Sequence, residues 1–140
     1  MKRIYIDSDI LLDIFMQREP FYKPASELLS LIDLKKVLAF TTPLVFSNLF
    51  YILRKYKSKP LAIKTLSTLK NLLDIAPVNK NSVDMALNSN FNDFEDALHY
   101  FSAIQAKANY IVTRNKKDYK SSDLPVLTAE EFLLLFFQTN

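Results

Sequence analysis

The chain has 140 residues, 49% of them apolar and 24% charged, with a formal net charge of +3. These are the proportions of a globular protein with one core, and a single domain over 1–140 is expected. The absence of cysteine excludes disulfides and thiolate metal sites, a single histidine (His99) excludes histidine-rich zinc sites, and the absence of glycine excludes glycine-rich phosphate cradles.

Along the chain, "RIYID" (Arg3–Asp7) reads as a buried strand, followed by a short helix in "DILLDIFMQR" that Ser8 can cap. A longer helix is predicted around Tyr22–Leu34 and a second strand at Val37–Thr41. Thr42 then suits an N-cap and Pro43 the first helical position, opening the helix "PLVFSNLFYILRKY". Another helix follows Pro60, and "DIAPV" (Asp74–Val78) is a weak strand whose Pro77 suits a sheet edge. "NSVDMALN" and "DFEDALHYFSAIQAKA" are helical, the latter with Phe94, Ala97, Leu98, Phe101 and Ile104 on its core face. The chain closes with the strand Tyr110–Thr113, the polar loop "RNKKDYKSSDLP", the strand Val126–Thr128 and the helix "AEEFLLLFF". Strands alternating with helices predict an α/β fold: a parallel sheet of about five strands with helices on both faces. No apolar run approaches the roughly 20 residues needed to cross a bilayer, and Asp7 ends the first apolar stretch too soon for a signal peptide. A cytoplasmic protein is expected.

Chemistry in such folds sits beyond the carboxyl ends of the strands. The acids of "IDSDILLD" (Asp7, Asp9 and Asp13) stand behind the first strand. An EF-hand calcium loop fails there, because Leu11 and Leu12 occupy its fifth and sixth positions, where an oxygen ligand and glycine are needed. "DSD" also resembles the haloacid-dehalogenase pattern DxDxT, which would make Asp7 a nucleophile and Asp9 an acid/base. Leu11 stands where that pattern has threonine. The third reading is part of an acidic cluster for a hard divalent ion.

The succession of the strand ending at Asp7, "FSNLFYILRK", "DFEDALHY" and "YIVTRNKKDY" resembles the PIN-domain family, the fold of VapC-type toxin ribonucleases, over nearly the whole chain. The resemblance implies a three-layer sandwich and a carboxylate cluster holding Mg²⁺ or Mn²⁺ for cleavage of single-stranded or structured RNA, leaving a 5′-phosphate and a 3′-hydroxyl. It also implies a homodimer and an antitoxin partner protein. Such a cluster has a physical rationale, since divalent ions stabilise charge on the attacking and leaving oxygens of a phosphodiester. The ions also relieve the repulsion among the acids.

Carried over by position, the resemblance makes Asp7 and Asp96 the main metal ligands. Asp9 is a ligand, a water-ordering group or an acid favoured by the helix dipole, and Asp13 is a supporting group or a solvated helix position. Asp93 is a catalytic acid, an N-cap for the helix carrying Asp96, or both. Asn48 and Asn115 stand where the family has acids and offer neutral oxygens or order water; Asp118 compensates if its loop turns inward, and Asp123 is more remote. Glu95 is expected to be solvated, and His99 to be a plain surface or satisfied core histidine. Arg114, Lys116, Lys117 and Lys120 lie on the loop after the fourth strand and suit phosphate contacts. The basic run Arg54–Lys59 needs only the helix dipole to explain it. The aromatics of "REPFYKP" and "LFYIL" suit core packing better than base stacking, and "FLLLFF" is apolar around more than one turn, so part of it needs cover from the sheet, a second copy or a partner. The asparagines at 48 and 115 also motivate a rival, a PIN-like fold that binds RNA or protein without cutting.

Overall fold

The computed structural model describes residues 1–139. Its elements run β1 (Arg3–Ile6), α1 (Ser8–Phe15), α2 (Tyr22–Asp33), β2 (Leu38–Thr41), α3 (Pro43–Tyr56), α4 (Lys59–Leu72) and β3 (Asp74–Ile75). They continue with α5 (Lys80–Leu87), α6 (Phe94–Gln105), β4 (Tyr110–Val112), β5 (Val126–Leu127) and α7 (Ala129–Thr139). The strands form one five-stranded sheet in the order β3-β2-β1-β4-β5, every pairing parallel. β1 is central, with Tyr5 in register with Phe40 on one side and Ile111 on the other.

The two faces of β1 are both buried, which is why the strand is apolar at every position from Ile4 to Ile6. Ile4 and Ile6 join a core with Leu11 of α1, Leu28 of α2, Leu49 of α3, Leu69 of α4 and Phe132 of α7. Tyr5 points the other way, into a core with Phe40, Ile111 and the α6 residues Tyr100 and Ala103. α5 joins that second layer through Ala86, packed with Ala97 and Leu98 of α6. Burying a large aliphatic side chain contributes about 2 kcal/mol, so cores on both faces fix the strand ends on which any site must rest.

Most helix starts follow the sequence chemistry. Thr42 caps α3, its hydroxyl accepting from the Val45 amide, and Pro43 takes the first helical position. Asp93 caps α6, accepting from the Asp96 amide. Ser8 is not the cap of α1: Asp7 holds that position and accepts from the Ser8 amide, while Ser8 is the first helical residue. β3 is an edge strand but stops at Ile75, short of Pro77. Part of the loop after β4 is ordered as a 3-10 helix, Lys116–Tyr119. On α6 the core face lies somewhat differently from the predicted one, since Phe94 is 46% exposed while Tyr100 and Ala103 are buried. On α7, Phe132 and Leu133 are buried, whereas Leu134 and Phe137 are exposed. Among the described residues no helix is long and apolar enough to cross a membrane.

Candidate active site

β1 and β4 are neighbours, and their pairing continues one step past β1, where the Asp7 amide donates to the Val112 carbonyl at 3.0 Å. That bond places the Asp7 carboxylate beside Thr113, directly after β4. Asp7 is buried and well supplied with donors: Oδ1 accepts from the Ser8 amide, and Oδ2 from the hydroxyls of Thr113 at 3.1 Å and Tyr119 at 3.2 Å. Burial pushes its carboxyl above the ordinary range, the donors oppose that, and Asp118 adds to it.

Asp9 lies next to it. Its Oδ2 accepts from the Thr113 hydroxyl and the Arg114 amide, each at 3.0 Å, and from Asn115 Nδ2 at 3.2 Å. Thr113 has a single hydroxyl proton between two carboxylates, so it satisfies only one of them at a time. Burial, and then the nearby Asp7, raise the Asp9 carboxyl to about 6. Among the described residues Asp9 Oδ1 is buried without a hydrogen-bond partner, so its desolvation is not offset by any of them.

Across from this pair, the start of α6 and the 3-10 helix form a cleft of about 250 Å³ lined by Asp93, Asp96, Asp118, Lys117 and Lys120, among others. Asp96 is half-buried, and burial, followed by Asp93, Asp7, Asp118 and Glu95, pushes its carboxyl up to about 7. A single carboxyl pressed by this many acids marks where negative charge is crowded.

The structure therefore brings Asp7 and Asp9 together at the strand ends and places Asp93, Asp96 and Asp118 around the adjoining cleft. Asn115 faces Asp9, and Asn48 donates its amide to Glu95 Oε1 at 2.8 Å. Lys117 and Lys120 reach the cleft, but two other basic residues are engaged elsewhere. Arg114 forks onto Asp13, with Nε–Oδ2 at 2.8 Å and Nη2–Oδ1 at 2.9 Å, and its guanidinium covers the Phe21 ring at 4.0 Å. Lys116 pairs with Glu131 at 3.0 Å. Asp13 is thus not a solvated helix position; it is fully buried and paired. Asp123 stands apart, its amide donating to the Tyr100 hydroxyl.

Sequence reasoning missed Thr113 and Tyr119, the hydroxyls that hold Asp7. Thr113 carried a signal, as a polar residue closing an apolar strand beside the one that ends at Asp7. Tyr119 carried none, because its place within the polar loop gave no hint that the ring is buried.

Chemically, the donor set is one of hard oxygens, suited to a divalent ion of the magnesium or manganese type. Among the described residues no three acidic, histidine or cysteine side chains converge closely enough to hold an ion by themselves. A magnesium-like ion keeps several waters and needs only one or two carboxylates, so Asp7 and Asp96, whose charges act on each other, fit such a site, and the unsatisfied Asp9 Oδ1 is a further hard oxygen close to Asp7 in the chain.

Comparisons with known proteins agree with this architecture. The protein-family model for the PIN domain matches residues 3–117. Ribonuclease VapC1 of Aquifex aeolicus is 29% identical over 136 residues, covering 94% of this chain and 93% of the relative. Among solved structures, FitAcB of Neisseria gonorrhoeae superposes with a TM-score of 0.72 at 14% identity, covering 91% of this chain and 98% of the other. A toxin–antitoxin complex from Klebsiella pneumoniae gives 0.66 at 20% identity, covering 90% and 97%. VapBC2 of Rickettsia felis, bound to a DNA fragment from its promoter, gives 0.63 at 20% identity, covering 89% and 96%. A PIN fold leaves the haloacid-dehalogenase reading without support. Sheet order, an aspartate at the end of the central strand and the match over 3–117 lead to one conclusion: the chain belongs to the PIN-domain family.

Proposed function

We infer that the protein is a metal-dependent endoribonuclease, the toxin member of a toxin–antitoxin pair. The observation that carries this reading is the crowding of Asp7, Asp93 and Asp118 around Asp96, a repulsion that a divalent ion relieves. The similarity to Ribonuclease VapC1, and to structures of toxin–antitoxin complexes, supports the ribonuclease and toxin parts.

In this reading Asp7 and Asp96 hold Mg²⁺ or Mn²⁺, with Asp9 and Asp118 close by. When bound, the ion polarises the scissile phosphate and favours deprotonation of the attacking water. Thr113 and Tyr119 orient Asp7, and Asn115 orients Asp9. Lys117 and Lys120, on the rim of the cleft, hold RNA phosphates in a salt-sensitive way. Arg114 contributes through its amide, which is spent on Asp9, rather than through its guanidinium.

A partner protein fits the flank formed by α2 and α7, next to the Asp13–Arg114 pair. Grooves along α2 and α7 are lined by Pro20, Phe21 and Pro24 and by Leu134 and Phe137, with Phe21, Leu134 and Phe137 exposed. An antitoxin or a second copy of the chain would cover this apolar surface.

The toxin part is tested by induced expression in a bacterial host. Wild-type protein is expected to arrest growth and Asp7→Asn to leave it unaffected; equal growth of the two strains contradicts a toxin. The second reading, a PIN fold that binds RNA without cutting, is favoured by the neutral amides at Asn48 and Asn115 and by the lack of a three-acid group among the described residues. Stoichiometric RNA binding without products in saturating Mn²⁺ would establish it.

A further inference from the structure

We propose that the α3–α4 hairpin is a second RNA-contact surface, whose cations meet phosphates and whose Tyr51 and Tyr56 stack on bases of a strand that also enters the acidic cleft. The proposal rests on RNA as the ligand in the reading above and extends where the chain holds it.

The charge distribution comes first. Residues 43–72 carry six of the 18 basic residues, Arg54, Lys55, Lys57, Lys59, Lys64 and Lys70, and none of the 15 acids, so the rest of the chain is net acidic. All six are exposed, and among the described residues none of them forms an ion pair. The helix dipole accounts for Arg54 and Lys55 in the last turn of α3. It does not account for Lys59, the first residue of α4, where the dipole disfavours a cation. Cations gathered at one tip raise a positive potential that no acid of the hairpin offsets, and that potential attracts a polyanion.

The tip also presents rings. Leu53 and Ala62 are buried, whereas all of 54–61 between them is exposed. Tyr51 and Tyr56 are 65% and 61% exposed, and Lys55 Nζ lies 5.3 Å from the centre of the Tyr56 ring. Single-stranded nucleic acid is held by this combination, the rings taking bases and the cations the backbone. An acidic protein surface would be served by the cations alone.

One face of α3 joins the tip to the cleft. Asn48, Tyr51 and Lys55 follow at i, i+3 and i+7 and so share that face. Asn48 is hydrogen-bonded at 2.8 Å to Glu95, the neighbour of Asp96 on α6. At about 1.5 Å per residue, Lys55 lies about 10 Å further along the helix, a span of a few phosphates.

Binding of a labelled oligouridylate to the purified full-length protein in EDTA, followed by fluorescence anisotropy over a salt series, tests this without metal or cleavage. Lys55→Gln/Lys57→Gln/Lys59→Gln is expected to weaken binding about tenfold. It should also lower the slope of log affinity against log salt by about 2, since each phosphate contact on a single strand adds about 0.7. Tyr51→Ala/Tyr56→Ala is expected to weaken binding by about tenfold or more while leaving the slope unchanged. Unchanged affinity and slope in the lysine variant, with binding weakened in Lys117→Gln/Lys120→Gln, overturns the hairpin surface and leaves RNA in the cleft. Unchanged affinity together with a molar mass, from light scattering, that falls from an oligomer to a monomer assigns the cations to a second copy of the chain and also overturns it. A wild type that does not bind the RNA even at low salt overturns the hairpin surface, while the cleavage reading stands or falls on its own assay in Mn²⁺.

Discussion

Replacing Asp13 with alanine is expected to lower the unfolding free energy by about 3 kcal/mol, read from urea denaturation midpoints at constant slope. In a chain of this size that is a fall in melting temperature of roughly 5–10 °C. The carboxylate is fully buried and meets the Arg114 guanidinium through both oxygens, while Arg114 itself retains 27% side-chain exposure. Removing the acid leaves a largely enclosed guanidinium against the Phe21 ring with no counter-charge, which costs far more than losing a surface pair. Arg18, 4.0 Å from Asp13, is too distant and too exposed to matter as much. The same ion pair ties α1 to the turn after β4, whose Arg114 amide supports Asp9. A loss below about 1 kcal/mol would show that water screens the pair and that its role in fixing this turn is minor.

From pH 8 to pH 5 the metal-free wild type is expected to gain more melting temperature than Asp9→Asn/Asp96→Asn does. Asp7, Asp9 and Asp96 all have carboxyls raised above the ordinary range, chiefly by burial, with Asp9 at about 6 and Asp96 at about 7. A raised acid binds its proton more readily in the folded state than in the unfolded one, so its contribution is present at low pH and is lost as pH climbs through the folded value. For Asp9 and Asp96 the window is therefore pH 5 to 8. Asp9 accounts for about 1 kcal/mol across it, and Asp96, which is more exposed, adds less than its shift suggests because water screens its charge. Together they amount to about 2 kcal/mol, or about 5 °C. Mn²⁺ should reverse the wild type's excess gain by stabilising the charged forms at pH 8. Buried His99, its pKa lowered by desolvation, contributes with the opposite sign in wild type and variant alike, so an equal pH 5 to 8 change in the two proteins would mean that the acids are not crowded.

Much of the fold was legible because its signals are local. Short β-branched runs, the Thr42–Pro43 start and the Asp93 cap each state their own structure, and the alternation of strands and helices states the rest. Asp7 was legible for the same reason, lying where a buried strand meets polar sequence. What escaped depends on partners far apart in the chain. Asp13 looked solvated because the residue that neutralises it, Arg114, lies 101 positions away, and Arg114 looked free to bind phosphate for the same reason. Tyr119 reaches Asp7 across 112 positions, and Glu95 finds Asn48 across 47. Periodicity and spacing report which face a residue occupies, but not which distant group that face meets.

Cleavage of a single-stranded RNA by the purified protein in Mn²⁺ separates a metal-dependent nuclease from an RNA-binding relative. Fragments carrying 5′-phosphates, formed by the wild type, absent without Mn²⁺ and absent in Asp96→Asn, are the expected result. RNA retained intact on a wild-type protein that binds Mn²⁺ would contradict the nuclease reading, and would identify a binding module built on a nuclease fold.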